Sequence, residues 1–307
     1  MTGEPSTATV GPWAQAKLEA LRRYLDYYTK VLKNQRWRIL YVDAYAGGGR
    51  AVVRSSATRE AAPLFQAEHI DEDQLALING SPRVALDLEN PFTRYIFIEP
   101  DPTRAAELEA LQVEYGASRR IDIRAEDAAS GIRWLTSQRI SRRTHRGVAF
   151  LDPFGAGLEW STIQALADTG FFEVVINFAL NMAIQRMLPN SAVFQAGWRD
   201  RLDAYFGTAA WYDEVYENRS NLLGKEVVKR DGYLERLLSL YRSRLKEAFG
   251  LVSQPMLIRN TKGNPLYYLL WAGPNRKGLQ GANYILSMGE RPPRTAKRAA
   301  NPSRRRP

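Results

Sequence analysis

The sequence predicts an α/β chain built on a Rossmann-like open sheet. Three observations carry that reading. Short apolar strands alternate with amphipathic helices from about residue 38 to 178, the pattern of a parallel sheet with helices on both faces. The first strand runs into a glycine turn, Asp43-Ala44-Tyr45-Ala46-Gly47-Gly48-Gly49, where a ligand can approach the backbone closely. Two further strands surround the turn signal Lys262-Gly263-Asn264-Pro265. Five βα units followed by such a pair give seven strands in the order 3-2-1-4-5-7-6, the last inserted antiparallel, with added helices.

Residues 1–12 read as disordered. Leu18, Leu21, Leu25, Tyr28 and Leu32 recur at steps of three and four, which predicts a helix from Trp13 to about Gln35. Arg38–Ala44 is the first strand. Residues 50–80 show weak periodicity and read as an insertion with one short helix. Ser81-Pro82 opens a helix to about Leu88, the serine as cap and the proline in the first turn. Arg94–Glu99 is the second strand, and Asp101-Pro102 starts a helix to about Tyr115 with Ala105, Leu108 and Leu111 inward. Ile121–Arg124 is the third strand and 129–138 a helix. Gly147–Leu151 is the fourth strand, followed by a helix near 159–168. The apolar run Phe172–Phe178 is a fifth strand, buried on both faces. Residues 179–224 are expected to be helices carrying Trp198, Tyr205, Phe206 and Trp211, with another helix over 226–249. This makes one domain, 13–290, with insertions near 50–80 and 179–224.

Composition narrows the chemistry. The 307-residue chain has no cysteine and only two histidines, His69 and His145. Thiolate metal sites, disulfides, cysteine nucleophiles and covalent pyrimidine-carbon methylation are thereby excluded, and no metal site is expected. There is no apolar run long enough for a membrane span and no secretory leader, so the expectation is a cytoplasmic protein. The formal net charge is +10, and the last 17 residues hold seven Lys/Arg and no acid. Residues 291–307 read as a disordered basic tail, either a polyphosphate contact such as nucleic acid or a solubilising terminus.

The candidate site follows from the strand ends. Asp43, Tyr45, Gly47 and Gly49 form an acid-glycine turn without the third glycine of a dinucleotide fingerprint. A pyrophosphate wants that glycine and a helix N-terminus. A cationic cofactor without phosphate, S-adenosylmethionine, does not, and Asp43 faces its positive end. Glu99, ending the second strand, can accept both ribose hydroxyls. It lies 50 residues beyond Gly49, a gap that the insertion explains. Asp127 can accept from the adenine amino group, with helix capping as the competing role. Asp152-Pro153-Phe154-Gly155 ends the fourth strand at the point where strand order reverses. Asp152 or the Pro153 carbonyl can orient an attacking amine, and Phe154 can stack on a flat base. Asn177, Arg186 and Lys17 are the candidate substrate contacts. Trp198, Trp211 and Tyr212 read as core or interface.

With these residues in place, the chain resembles the three-Cys-motif partner family (TcmP), which is methyltransferase-like. The matching stretches are the leading helix with Trp13 and Lys17, YVDAYAGGGR at 41–50, GSPRVAL at 80–86, FIEPDP at 97–102, FLDPFG at 150–155 and VINF at 175–178. The resemblance implies the sheet of a class I S-adenosylmethionine methyltransferase and a partner protein bearing three cysteines. Gly48 stands where many such loops have proline, and the aromatic Phe154 is one place earlier than in nucleic-acid aminomethyltransferases. The leading expectation is an S-adenosylmethionine-dependent methyltransferase. A non-catalytic cofactor- or partner-binding subunit is the alternative. A nuclease holding magnesium on Asp43, Asp127 and Asp152 is the third.

Overall fold

The computed structural model describes residues 8–10, 13–54, 75–116, 118–221 and 224–290. In chain order the elements are β1 (Ala8–Val10), α1 (Trp13–Leu32), β2 (Arg38–Asp43), β3 (Arg50–Arg54), β4 (Leu75–Asn79), α2 (Ser81–Leu86), β5 (Arg94–Ile98) and α3 (Pro102–Tyr115). There follow β6 (Ile121–Arg124), α4 (Ala128–Ser137), β7 (His145–Leu151), α5 (Trp160–Asp168) and β8 (Phe172–Phe178). A 3-10 turn at Ile184–Met187 leads to α6 (Trp198–Phe206), α7 (Trp211–Val215), β9 (Tyr216–Asn221) and β10 (Gly224–Lys229). The chain continues through α8 (Tyr233–Phe249), β11 (Leu251–Val252), β12 (Met256–Arg259), β13 (Pro265–Gly273) and α9 (Arg276–Ser287).

The main sheet runs β11-β13-β8-β7-β2-β5-β6, with β12 also on β13. Strands β6, β5, β2, β7 and β8 are parallel, and β13 joins β8 antiparallel. This is the predicted order 3-2-1-4-5-7-6. The sixth strand is broken in two: β11 and β12 both pair with β13, and Ser253 between them binds Trp271 through N and Oγ.

Alternation along the strands sorts the core into two layers. Leu40, Val42, Ile98, Leu151, Ile176 and Leu270 face α4, α5 and α8. Tyr41, Tyr95, Phe97, Phe150, Val175, Leu269 and Trp271 face α1, α2, α3 and α9. Because side chains alternate with period two, Asp43, Glu99, Asp152, Asn177 and Tyr267 belong to that second, α1 face.

Several expectations change. Residues 8–10 pair in parallel with Ala51–Val53 where disorder was expected; the remaining residues of 1–12, and the tail 291–307, lie outside the described residues. Arg50–Arg54 and Leu75–Asn79 form an antiparallel pair at the two ends of the insertion; the short helix expected within it falls on residues 55–74, which lie outside the described residues. Each run is short and apolar, and a window over the whole insertion averages them away. Helix 226–249 starts instead at Tyr233, because Gly232 sits at φ 68° and Gly224–Lys229 pairs antiparallel with Tyr216–Asn221, a strand where helix was expected over 179–224. The cap of α2 is Gly80; Ser81 is already helical and its hydroxyl turns to Asp43. Helix α9 and the short strand β11 were not anticipated. Ala105, Leu108 and Leu111 are inward, and Asp101 caps α3 through Thr103 N and Arg104 N, worth about 1 kcal/mol. Trp211 is fully buried, and Trp198 and Tyr212 pack against the same core.

Candidate functional site

The site lies at the C-terminal ends of β2, β5, β7 and β8, around the reversal of strand order. Asp43 ends β2 with its side chain fully buried. The chain then turns through Gly47 at φ 60° and Gly49 at φ 79°, conformations that a Cβ strains. The inserted segment leaves and returns at one point: Gly80 N donates to Gly49 O at 2.9 Å. A Cβ on Gly80 would press on the Gly49 backbone, so the two ends meet with no room for side chains. Helix α2 therefore still follows the turn in space.

Acids surround that turn. Glu99 is 5% exposed and accepts from Gly47 N at 2.9 Å and from Asp101 N at 3.0 Å. Glu107 of α3 lies directly against Gly48, where a Cβ would strike its carboxylate; burial raises its pKa. Tyr45 donates to Gly157 O at 3.1 Å and ties the turn to the loop after β7. In that loop Pro153 is buried, while Phe154 is exposed with the Arg104 guanidinium 5.9 Å from its ring centre.

A second group centres on Asp152. Its Oδ2 accepts from the Lys17 ammonium of α1, and its Oδ1 accepts from Asn177 Nδ2 at 2.6 Å. The Lys17 Nζ lies 5.6 Å from the Tyr267 ring centre. Asn177 Oδ1 and the Tyr267 hydroxyl are buried without a hydrogen-bond partner among the described residues. Asp43 adjoins this group. Burial pushes its pKa up to about 7, and the Asp152 charge adds to the rise. Hydrogen bonds from Ser81, Tyr45 N and Tyr41 act the other way.

The structure thus brings Asp43, the glycine turn, Glu99, Asp152, Asn177 and Lys17 to one edge and one face of the sheet. Asp127 is placed otherwise. It caps α4, accepting from Ser130 N at 2.9 Å and Ser130 Oγ at 2.7 Å. Those bonds lower its pKa. Arg186 is exposed in the 3-10 turn, and the donors to Asp152 are Lys17 and Asn177 instead. Among the described residues no three acids or histidines are grouped to hold a metal ion, so Asp43, Asp127 and Asp152 do not form a magnesium cage. Sequence reasoning missed Tyr267, Tyr41, Ser81, Glu107 and Arg104. Tyr267 lies in the run PLYYLLWAG, whose strand is apolar on both faces and so hides which residues turn to the site.

No protein-family model matches the chain, and no curated protein is significantly similar. Solved structures with a similar course include a methyltransferase-like protein, yhhF of Escherichia coli, at 14% identity and TM-score 0.33, covering 82% of this chain and 87% of that one. An S-adenosylmethionine-dependent methyltransferase, so described, from Listeria monocytogenes has 8% identity and TM-score 0.36, over 83% and 98%. Spermidine synthase from Thermotoga maritima has 10% identity and TM-score 0.38, over 86% and 62%. Likenesses at this level carry no argument; the fold is assigned from its own strand order. No helix among the described residues is long and apolar enough to cross a membrane.

Proposed function

We propose that this protein is an S-adenosylmethionine-dependent methyltransferase. The observation that carries the reading is the ring of acids on the glycine turn, with Glu99 held against Gly47 N. Asp43, Glu99 and Glu107 are all carboxylates, and Asp43 already accepts from Ser81 at the start of α2. A pyrophosphate would meet like charge there. A sulfonium and a ribose fit the same donors and acceptors, the ribose hydroxyls donating to Glu99. When bound, the cofactor supplies a methyl group activated by the positive sulfur.

The chain's own residues then hold and align. Glu99 and the turn fix the ribose, and Asp43 offers a carboxylate to the positive centre. Asp152 and Asn177 orient the acceptor, and the loop with Pro153 and Phe154 shields it from water. Alignment of this kind removes much of a bimolecular barrier without a covalent intermediate. The resemblance to the three-Cys-motif partner family supports the same reading. It adds a cysteine-bearing partner protein, and the basic tail adds a nucleic-acid contact.

Calorimetry with S-adenosylhomocysteine tests the cofactor. The native protein is expected to bind it, and Glu99→Ala to bind about 10- to 100-fold more weakly, the loss of hydrogen bonds to a charged acceptor. No binding by the native chain, or equal binding by Glu99→Ala, overturns the reading.

A further inference from the structure

Resting on that methyltransferase reading, we propose that Asp152, Asn177 and Tyr267 form an acceptor subsite for a primary alkylammonium ion, and that Lys17 is its built-in occupant. The cluster is fitted for a cation. Asp152 supplies the charge, and the Tyr267 ring presents its negative face to the Lys17 ammonium at 5.6 Å. Two further oxygens there lack partners. Asn177 is 6% exposed and Tyr267 3% exposed, yet Asn177 Oδ1 and the Tyr267 hydroxyl make no hydrogen bond among the described residues. Buried polar atoms are ordinarily paired, and each orphan is costly. An ammonium has three N–H donors. Of these oxygens Lys17 donates to Asp152 alone, so the amide oxygen and the phenol remain as acceptors for an incoming ammonium.

The charges around the pocket favour the same class. Asp43 and Asp152 interact, and Lys17 is the cation paired with Asp152. An anionic acceptor would add a third negative charge. A neutral aromatic amine would leave the carboxylate without its counter-ion. The Lys17 and Asp152 side chains retain 12% and 21% exposure, so the pair lies near the surface and an incoming alkylamine can take the ammonium's place. Lys17 reaches in from α1 on a flexible four-carbon stem, so the helix need not move. After displacement, the acceptor must lose a proton before its nitrogen lone pair can form the N–C bond. That proton passes to Asp152 or to water, and the pair of the broken C–S bond stays on sulfur.

Lys17→Ala opens the subsite, and n-butylammonium copies the removed side chain. The readout is thermal stability against concentration, which rises as a binding isotherm. The expected result is saturable stabilisation of Lys17→Ala by n-butylammonium and by Nα-acetyl-lysine amide. n-Butanol should give none, and the native chain should bind the amine at least about tenfold more weakly, because Lys17 competes. Tyr267→Phe in the Lys17→Ala background should weaken the amine several-fold. Lys17→Met replaces Lys17→Ala if the latter fails to fold. Absence of saturable stabilisation overturns the proposal, as does stabilisation that survives Asp152→Asn or matches that of the native chain. Preference for the acetyl-lysine amide over n-butylammonium assigns the amine to a lysine side chain; equal affinity assigns it to a free alkylamine. Both support the subsite. S-adenosylhomocysteine binding without amine binding sinks this inference alone. Amine binding without the cofactor sustains the subsite and sinks the methyltransferase reading.

Discussion

Glu173 offers a direct test of how the α1 face is assembled. It is the second residue of β8, on the same face as Asn177 but four residues, about 13 Å, back along the strand. It is 3% exposed, and Tyr24 of α1 donates to it. Trp271 Nε1 in turn donates to the Tyr24 oxygen at 2.6 Å. Burial lifts the Glu173 carboxyl from its ordinary value to about 7, opposed by the Tyr24 and Trp271 hydrogen bonds and the Arg146 charge. A folded-state pKa above the unfolded one means that the folded protein binds more protons between about pH 4.5 and 7. Its stability is then greatest below that window and falls as pH rises through it. A rise from 4.5 to about 7 is worth about 3 kcal/mol at pH 8. Glu173→Gln keeps an acceptor for Tyr24 and removes the charge. Urea unfolding followed by tryptophan fluorescence at pH 4.5, 6 and 8 is the assay. The variant should gain on the native protein by about 3 kcal/mol between the lowest and highest pH. Asp43, also at about 7, titrates in the same direction in both proteins, so the difference between them isolates Glu173. Parallel stability–pH curves would refute the reasoning.

Two further expectations concern packing and capping. Gly131 in α4 has Ile98 carbons 2.6–2.8 Å from where a Cβ would sit, so Gly131→Ala should lower stability by about 1–2 kcal/mol in urea unfolding, overpacking outweighing the gain in helix propensity. Asp127→Ala should cost about 1 kcal/mol through the lost α4 cap, and Asp127→Asn, which keeps an acceptor for Ser130 N, should cost only a few tenths by the same measurement.

The alternation of strand and helix was legible because each strand is a compact apolar run. The site's carboxylates were legible for a related reason: Asp43, Glu99 and Asp152 are the first acids after such runs, so their place at the sheet edge follows from strand length alone. Face was harder. Asn177 shares a face with Asp152 through the register of β7 on β8, where Leu151 opposes Ile176, and Tyr267 through that of β13 on β8, where Leu269 opposes Asn177; no local pattern encodes these long-range pairings. Asp127 has the same sequence context as the others but also has Ser130 three residues on, and that local partner takes its carboxylate. Glu107 was hidden because an acid in mid-helix looks solvated until the turn beside it lacks side chains. The two small sheets were missed because their strands pair with each other and not with the main sheet, so they carry no long apolar run.

Where those small sheets attach bears on function. The β3–β4 pair of the first, which β1 joins from before α1, leaves the main fold between Gly49 and Gly80, whose backbones are hydrogen-bonded to each other. Material inserted between two points already in contact adds loop-closure entropy only logarithmically with length, and it leaves the relation of Asp43, the glycine turn and α2 unchanged. The second, β9 with β10, follows the 3-10 turn beyond Asn177. Both additions therefore enter at the edge of the sheet that carries the acids, one after β2 and one after β8. The opposite edge, where strands begin, receives neither. An arrangement of this kind keeps the chemistry on fixed strand ends while the segments around it are free to differ. It accounts for a site whose acids are ordered by the parallel sheet although 50 residues separate Gly49 from Glu99. Under the proposed reading, selection of the acceptor rests on elements outside the alternating core: Lys17 comes from α1, before the first strand of the main sheet, and Tyr267 from β13, the strand inserted antiparallel at the end.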